Sequence, residues 1–259
     1  MSAAWLAGRT VLAVFAHPDD ESLACGGTLA RLADLGLRVV VMCASHGERG
    51  AHTGPARNDQ LGRVRAVEMR DAAAALGIAE VILLNHPDGD LRWAEVSEFN
   101  AELLLFIRRY APAAIITFGD DGLYWHLDHV GVHERTTTAV RILGPSAPPL
   151  YYVTMLRGIM PQIVAAARER GWTPPPKGFW SLEPAAFGLL AAPATITIDV
   201  GDWVSRKVAA ILSHRTQMGI GHPFAQIDDA DARRWLGTEQ FHRADLPMTG
   251  NLVLERLCT

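Results

Sequence analysis

A tight group of His and Asp side chains follows the first apolar run of this sequence. His17, Asp19 and Asp20 come directly after residues 10–16 (TVLAVFA), a short, continuous apolar segment that is typical of a buried parallel strand. Imidazole and carboxylate groups are zinc ligands, and a catalytic zinc takes three protein ligands and a water. Taken alone, however, the two Asp residues could equally cap the helix that follows.

A second group of the same residue types favours the metal interpretation. His126, Asp128 and His129 follow residues 114–118 (AIITF), another buried strand by its pattern. One of the two histidines can ligate a metal while the other, oriented by Asp128, faces the substrate. Asp19, beside the ligands of the first group, is then placed to act as a general base. Two such groups after two parallel strands predict one shared metal site.

The order of apolar segments predicts the elements that position these groups. Strands alternate with amphipathic helices through the first half of the chain, which predicts an α/β, Rossmann-like, mostly parallel sheet with helices on both faces. Ligands of such sheets bind at the carboxyl ends of the strands. The predicted strands are residues 10–16, 37–44, 80–84 and 114–118, and the predicted helices are 22–35, 59–76, 94–110 and 130–143. Residues 45–59 are predicted to form a loop over the site.

The second half of the chain is less regular. We predict strands at residues 150–156 and 195–200, and helices at 159–170, 202–214 and 229–236. The proline-rich residues 173–179 are compatible with neither a helix nor a central strand. We therefore expect a single domain over residues 1–259, with a Rossmann-like half (1–145) that carries the metal site and a C-terminal elaboration (146–259) that covers it.

The composition excludes several classes of protein. A net charge of −4 and a pI near 6.2 provide no electrostatic basis for binding nucleic acid. Residues 1–9 lack the features of a signal peptide, and no apolar run reaches the length of about 18 residues that a membrane span needs. Three cysteines are too few for a disulfide framework. We expect a cytoplasmic protein without a membrane partner, and a homo-oligomer is left open.

The two motifs carry a resemblance to a known family. Residues 16–21 (AHPDDE) with residues 126–129 (HLDH) resemble the PIG-L/LmbE-like family of zinc-dependent N-deacetylases. The second motif is commonly HPDH there, and Leu127 replaces the proline without removing a functional group. Further matches extend the resemblance over residues 10–220, namely Gly26-Gly27, Gly47-Glu48, Arg65 with Glu68, residues 88–91, and Lys207, His214 and Gln217. We expect residues 150–194, which match least, to determine substrate specificity.

The resemblance implies a role for each residue of the two motifs. It implies His17, Asp20 and His129 as the zinc ligands and Asp19 as the general base. His126, held by Asp128, would stabilise the oxyanion or protonate the leaving amine. The remaining implied site residues are Tyr124, which would assist the oxyanion, and Arg65, Asp88 and Glu48, which would contact substrate. Glu48 could equally cap a turn.

The function implied is hydrolysis of an N-acetyl group on an amino sugar, its glycoside or a related small-molecule amine. Fe²⁺ also suits a set of two His and one Asp, so it is a second candidate for the metal. Two alternatives stay open: an amidase of a mycothiol-type thiol conjugate, and a non-catalytic sugar- or nucleotide-binding module of the same fold. Trp125, Trp172 and Trp180 could stack on a sugar or belong to the core. A structural role is favoured for Lys207 and His214, which share a helix face.

Overall fold

In the described part of the chain, seven strands form one sheet, which is mostly parallel as predicted. The structure is a computed structural model that describes residues 6–53, 57–173, 178–218, 222–250 and 252–258. The strands are β1 (Thr10–Phe15), β2 (Arg38–Cys43), β3 (Glu80–Leu83), β4 (Ala114–Phe118), β5 (Leu150–Thr154), β6 (Ile196–Asp199) and β7 (Thr238–Arg243). Their order across the sheet is β3-β2-β1-β4-β5-β7-β6.

The α-helices of the described chain connect and cover these strands. They are α1 (Asp20–Asp34), α2 (Leu61–Leu76), α3 (Val96–Tyr110), α4 (Gly122–Trp125), α5 (Leu127–Leu143), α6 (Ile159–Glu169), α7 (Val204–Ser213) and α8 (Asp229–Leu236). Helices α1, α2 and α7 contact one another, and α3 contacts α5. Right-handed crossovers that run in opposite directions from β1 place these two groups on opposite faces of the sheet. Among the described residues, no helix combines the length and apolar character needed to cross a membrane.

Strand β1 lies at the point where the direction of strand addition reverses. It pairs in parallel with β2 on one side and with β4 on the other, and Val11 lies opposite Ala114. All of its residues from Val11 to Phe15 are fully buried, which explains the continuous apolar run. The crevice outside the carboxyl ends of β1 and β4 is the expected ligand position in such a sheet. Both His/Asp groups of the sequence follow these two strands.

The sequence analysis missed β7, which runs antiparallel to both β5 and β6. Its residues alternate between buried and more exposed positions, as a strand requires. However, one of its inward positions is Glu239, which is almost fully buried, so the apolar pattern is interrupted. The buried carboxylate of Glu239 therefore needs a partner from another part of the chain, and the local sequence pattern does not show that partner.

Several predicted boundaries move in the structure. Helix α5 begins at Leu127 and not at residue 130, which places Asp128 and His129 in its first turn. Asp202 lies in a short 3₁₀ helix (Gly201–Trp203), and no side chain caps α7. In the proline-rich segment, residues 174–177 lie outside the described residues, and a 3₁₀ helix (Gly178–Ser181) follows them. Residues 54–56 of the predicted covering loop also lie outside the described residues. The single-domain interpretation stays a prediction.

Candidate metal centre and active site

The carboxylate of Asp20 lies between two histidine rings. Its Oδ2 atom is 3.4 Å from Nδ1 of His17, and its Oδ1 atom is 3.1 Å from Nε2 of His129. All three side chains are buried. The backbone N–H of His17 also donates to Asp20 Oδ2 at 2.8 Å, which holds the carboxylate against β1. These three side chains are the candidate metal ligands, and they are called the metal centre below.

One atom of the metal centre indicates that it fits a metal ion. Nε2 of His129 is buried and has no hydrogen-bond partner in the part of the chain that the structure describes, although Asp20 lies close to it. Nδ1 of the same ring contacts the carbonyl oxygen of Gly122 at 3.1 Å, an arrangement that leaves Nε2 as a lone-pair donor. Two imidazoles and one carboxylate are a suitable donor set for Zn²⁺ and Fe²⁺.

Two further carboxylates contact His17 from its other side. Nε2 of His17 is 3.0 Å from Oδ2 of Asp128 and 3.1 Å from Oδ1 of Asp88. Burial alone would lower the pKa of His17, but Asp128, Asp20 and Asp88 outweigh it and hold that pKa well above its usual range. A carboxylate on one ring nitrogen fixes the tautomer and leaves the other nitrogen for a metal. This arrangement directs Nδ1 of His17 toward Asp20.

Asp128 contacts His126 through its backbone and not through its carboxylate. The Asp128 backbone N–H donates to Nδ1 of His126 at 3.3 Å, whereas the Asp128 carboxylate accepts from the backbone N–H groups of Gly89 and Leu91. The role predicted for Asp128, orientation of His126, is therefore carried by the first turn of α5. Because Nδ1 of His126 accepts, its neutral ring carries the proton on Nε2.

His126 lies beside the metal centre and is held neutral. Nitrogen atoms of His17, His126 and His129 lie within 4.8 Å of one another. Burial, together with the charges of His129 and His17, lowers the pKa of His126 to about 4. A neutral ring protonated on Nε2 is a hydrogen-bond donor and cannot offer that nitrogen to a metal. His126 is thus better suited to contact substrate than to complete the ligand set.

Asp19 has a backbone conformation that is strained for a residue other than glycine. Its φ is 131° and its ψ is −26°, and such outliers cluster at functional sites. Its side chain is 30% exposed and lies within hydrogen-bond distance of Arg65, whose Nη2 donates to Asp19 Oδ2 at 2.9 Å. Burial raises the pKa of Asp19 against the opposing charge of Arg65. A carboxylate that remains open to the cavity in this way can accept a proton.

Arg65 holds the loops around Asp19 together. The Arg65 guanidinium also donates to the carbonyl oxygens of Pro18 and Gly47, and it is almost completely buried. Gly47 has a φ of +63°, and a Cβ atom there would lie only 2.3 Å from Arg65 Nη1. The absence of a Cβ atom at position 47 therefore leaves room for the guanidinium of Arg65. Arg65 was predicted to bind substrate, and the structure adds a direct contact with Asp19.

Glu21, to which the sequence assigned no role, supports Asp19 from the protein interior. Its Oε2 atom accepts from the backbone N–H of Asp19 at 3.1 Å. Its Oε1 atom accepts from Ser22 Oγ and lies 3.1 Å from Nε2 of His214. Burial would lower the pKa of His214, but the Glu21 carboxylate outweighs this effect and raises it. His214 thus acts at a distance from the metal centre, as a partner of Glu21.

A second buried network joins the backbone of Gly27 to Glu239 and Lys207. Both Glu239 oxygens accept from the backbone of α1, at Gly27 N (2.9 Å) and Thr28 N (2.7 Å), just after a kink at Cys25. Lys207 Nζ donates to Glu239 Oε1 at 2.6 Å, and both side chains are buried. The structural role favoured for Lys207 agrees with this geometry.

The other predicted residues lie around the same crevice. Tyr124 packs edge-on against His129, with ring centroids 5.2 Å apart, and burial holds the pKa of its phenol well above its usual range. Glu48 accepts from the backbone N–H of Asp88 at 3.0 Å and so holds a turn, the alternative considered for it. Among the loop histidines, His52 lines the cavity, whereas His86 contacts Glu102.

His17 and Asp20 of the metal centre line a cavity of about 860 Å³, whereas His129 is fully buried beside them. Asp19, Tyr124 and His126 also line it. Another part of the wall comes from the second half of the chain, in which few site residues were predicted. The residues that line it are Trp180, Leu182, Thr216, Met218, His222 and Phe224. These residues belong to no recognisable sequence motif, so only the folded structure shows that they line the cavity. Such a volume accommodates a small molecule.

A family model and a similar protein identify the family. The model described as PIG-L, GlcNAc-PI de-N-acetylase, matches residues 12–140. The 1D-myo-inositol 2-acetamido-2-deoxy-alpha-D-glucopyranoside deacetylase of Thermobispora bispora is 31% identical over 271 aligned positions, which cover 91% of this chain and 88% of the relative. The chain belongs to the PIG-L family. The resemblance expected from residues 16–21 and 126–129 is confirmed.

Solved structures confirm the fold of this PIG-L family member. The N,N'-diacetylchitobiose deacetylase of Pyrococcus horikoshii superposes with a TM-score of 0.64 at 21% identity, covering 92% of this chain and 84% of the other. GalB of Pseudomonas putida, a 4-carboxy-2-hydroxymuconate hydratase, also has a TM-score of 0.64 at 21% identity, covering 94% and 99%. Because one fold carries both activities, the activity must be argued from the side chains of the site.

Proposed function

We propose that this PIG-L family member hydrolyses the N-acetyl group of an amino sugar or amino-sugar glycoside. The observation that carries the proposal is the Asp20 carboxylate between His17 and His129, with the open carboxylate of Asp19 beside it. The relative from Thermobispora bispora is named for deacetylating 1D-myo-inositol 2-acetamido-2-deoxy-alpha-D-glucopyranoside. That compound is therefore the first substrate to test, and acetate and a free amine are the expected products.

His17, Asp20 and His129 would hold the metal ion, Zn²⁺ or Fe²⁺. When bound, the ion supplies Lewis acidity that polarises the acetyl carbonyl and lowers the pKa of the attacking water. Nε2 of His129 supports this ligand set, because it is buried beside Asp20 and has no hydrogen-bond partner among the described residues. Asp88 and Asp128 orient His17 from the other side.

The side chains around the metal centre have separate tasks in the proposed reaction. Asp19 takes a proton from the attacking water, and the oxygen of that water adds to the acetyl carbon. The Nε2–H of His126 and the hydroxyl of Tyr124 donate hydrogen bonds to the oxyanion. The tetrahedral intermediate then breaks its C–N bond, and Asp19 returns the proton to the leaving amine. Arg65 and Glu21 hold Asp19 in place from either side.

The proposal is tested by measuring metal content and acetate release on the same preparation. We expect about one Zn²⁺ or Fe²⁺ per chain, with acetate and primary amine released in equal amounts from the inositol glycoside. A chelator should abolish release and lower the Tm, because a ligand that binds only the folded state stabilises it. Adding the metal back should restore both. A fully metal-loaded protein that releases no acetate from any N-acetyl amino sugar would instead support the non-catalytic binding module.

His126 is expected to contribute through its Nε2–H. The variant His126→Ala should lower kcat by roughly 10²- to 10³-fold, as removal of an oxyanion donor does, with metal content unchanged. The variant His126→Gln, which keeps an N–H donor, should recover part of the rate. If His126→Ala loses the metal together with the rate, His126 is a ligand. If it keeps the wild-type kcat, it lies outside the reaction.

A further inference from the structure

The mouth of the cavity carries large apolar side chains that face solvent. Trp125 is 52% exposed, Leu127 is 49% exposed and Leu182 is 39% exposed, and all three line the same cavity as the metal centre. These three residues are called the apolar rim. Single exposed apolar side chains are common, but a group of them around one opening marks a binding surface.

The backbone of the apolar rim is strained. Trp125 has a φ of 65°, a left-handed conformation that is a true outlier for a bulky aromatic residue. Its N–H donates to the carbonyl oxygen of Asp121 at 2.8 Å, which secures the turn. The conformation holds the indole half in solvent, directly before His126. Backbone strain of this kind clusters at ligand sites, so the conformation of Trp125 points to a function for its exposed side chain.

The cavity has room for more than one sugar ring. Its volume of about 860 Å³ lies high in the range of roughly 300–1,000 Å³ that small-molecule sites occupy. The buried side chains of His17, Asp20 and Asp128 form its floor. The acetyl carbon must reach this floor to react, so the part of the substrate that extends from the sugar toward solvent meets the apolar rim.

We propose that the apolar rim binds an apolar aglycone, an alkyl or aryl group attached to the N-acetyl amino sugar. The rim then favours a hydrophobic glycoside over a sugar linked to a polyol such as inositol, although both carry the N-acetyl group that is hydrolysed. This inference rests on the proposed deacetylase function, because that function places the sugar between the metal centre and the rim. Two further aromatic residues of the same cavity lining support it, since the Trp180 and Phe224 rings pack together with centroids 5.5 Å apart.

The test compares N-acetylglucosaminides of one anomeric configuration that differ only in the aglycone: methyl, inositol, octyl and phenyl. We expect the octyl and phenyl glycosides to have a KM about five- to twenty-fold lower than the methyl glycoside, the gain that burial of part of one or two apolar side chains supplies. The kcat for acetate release should change less than about two-fold, since the aglycone lies away from the reacting carbon.

Two rim variants and two matched controls assign this gain to named residues. Trp125→Ala and Leu127→Ser should each raise KM for the octyl glycoside while leaving KM for the methyl glycoside unchanged. Trp93→Ala and Leu105→Ala remove more exposed side chains (71% and 61%) that do not line the cavity, and they should change neither value. Circular dichroism and Tm confirm that each variant is folded, and Leu127→Ser keeps the test decisive if Trp125→Ala unfolds.

Other outcomes overturn the inference without affecting the proposed function. Equal KM values for the methyl and octyl glycosides, with acetate released from both, would exclude a role of the rim in substrate choice. A KM advantage for an N-octanoyl substrate that Trp125→Ala removes would assign the rim to the acyl group. By contrast, absence of acetate release from all four glycosides by metal-loaded protein would contradict the proposed function itself.

Discussion

Asp19→Asn is expected to lower kcat by roughly 10²- to 10⁴-fold, because the variant removes the base and little else. An Asn side chain has the same shape, and Arg65 keeps its hydrogen bonds to the carbonyl oxygens of Pro18 and Gly47. The metal ligands in the proposal are His17, Asp20 and His129, so metal content should stay at the wild-type level. Acetate release and metal analysis on the same preparation measure both quantities.

The nearby Asp90→Asn variant is a matched control. Asp90 is an exposed carboxylate that pairs with Arg49 and does not line the cavity. Its neutralisation should leave kcat and metal content unchanged, since an exposed ion pair contributes little. If Asp19→Asn loses its metal, Asp19 is a ligand and the assignment of the two adjacent carboxylates must be exchanged. If it keeps full activity, another group accepts the proton.

Lys207→Met should cause the largest loss of stability of any variant considered. It leaves the buried carboxylate of Glu239 without its cation, a change that typically costs about 3–5 kcal/mol. For a chain of this size the expected fall in Tm is roughly 6–20 °C. The metal centre lies elsewhere, so kcat of the folded variant should be close to that of the wild type. Thermal unfolding and acetate release at a temperature well below the transition measure the two effects.

A double variant separates the charge from the packing. Lys207→Met combined with Glu239→Gln removes both charges and keeps one oxygen acceptor for the two N–H groups of Gly27 and Thr28, so it should recover part of the lost stability. Arg215→Met is the matched control, because Arg215 forms an exposed ion pair with Asp71 that should contribute less than about 1 kcal/mol. A wild-type Tm for Lys207→Met with a large loss of kcat would place Lys207 in the reaction.

The sequence alone predicted the parallel strands β1 to β5, the family and the residues around which the candidate site is built. The apolar runs that became β1 and β4 are local signals, because strands buried on both faces are continuously apolar. Parallel strand ends meet at one edge of the sheet, so the groups at residues 17–20 and 126–129 could be expected to converge. That expectation needs only the positions of the two groups directly after their strands and the parallel direction of those strands.

Only the tertiary structure decided which atoms of these groups face one another. Asp128 contacts His17 from 111 positions away, Glu21 contacts His214 from 193, and Glu239 contacts Gly27 from 212. Such pairs follow no periodicity, because a buried polar side chain is specified by the partner that satisfies it. The apolar rim and the wall around Trp180 are decided in the same way, since residues distant in sequence form one cavity only after the second half of the chain has packed onto the first.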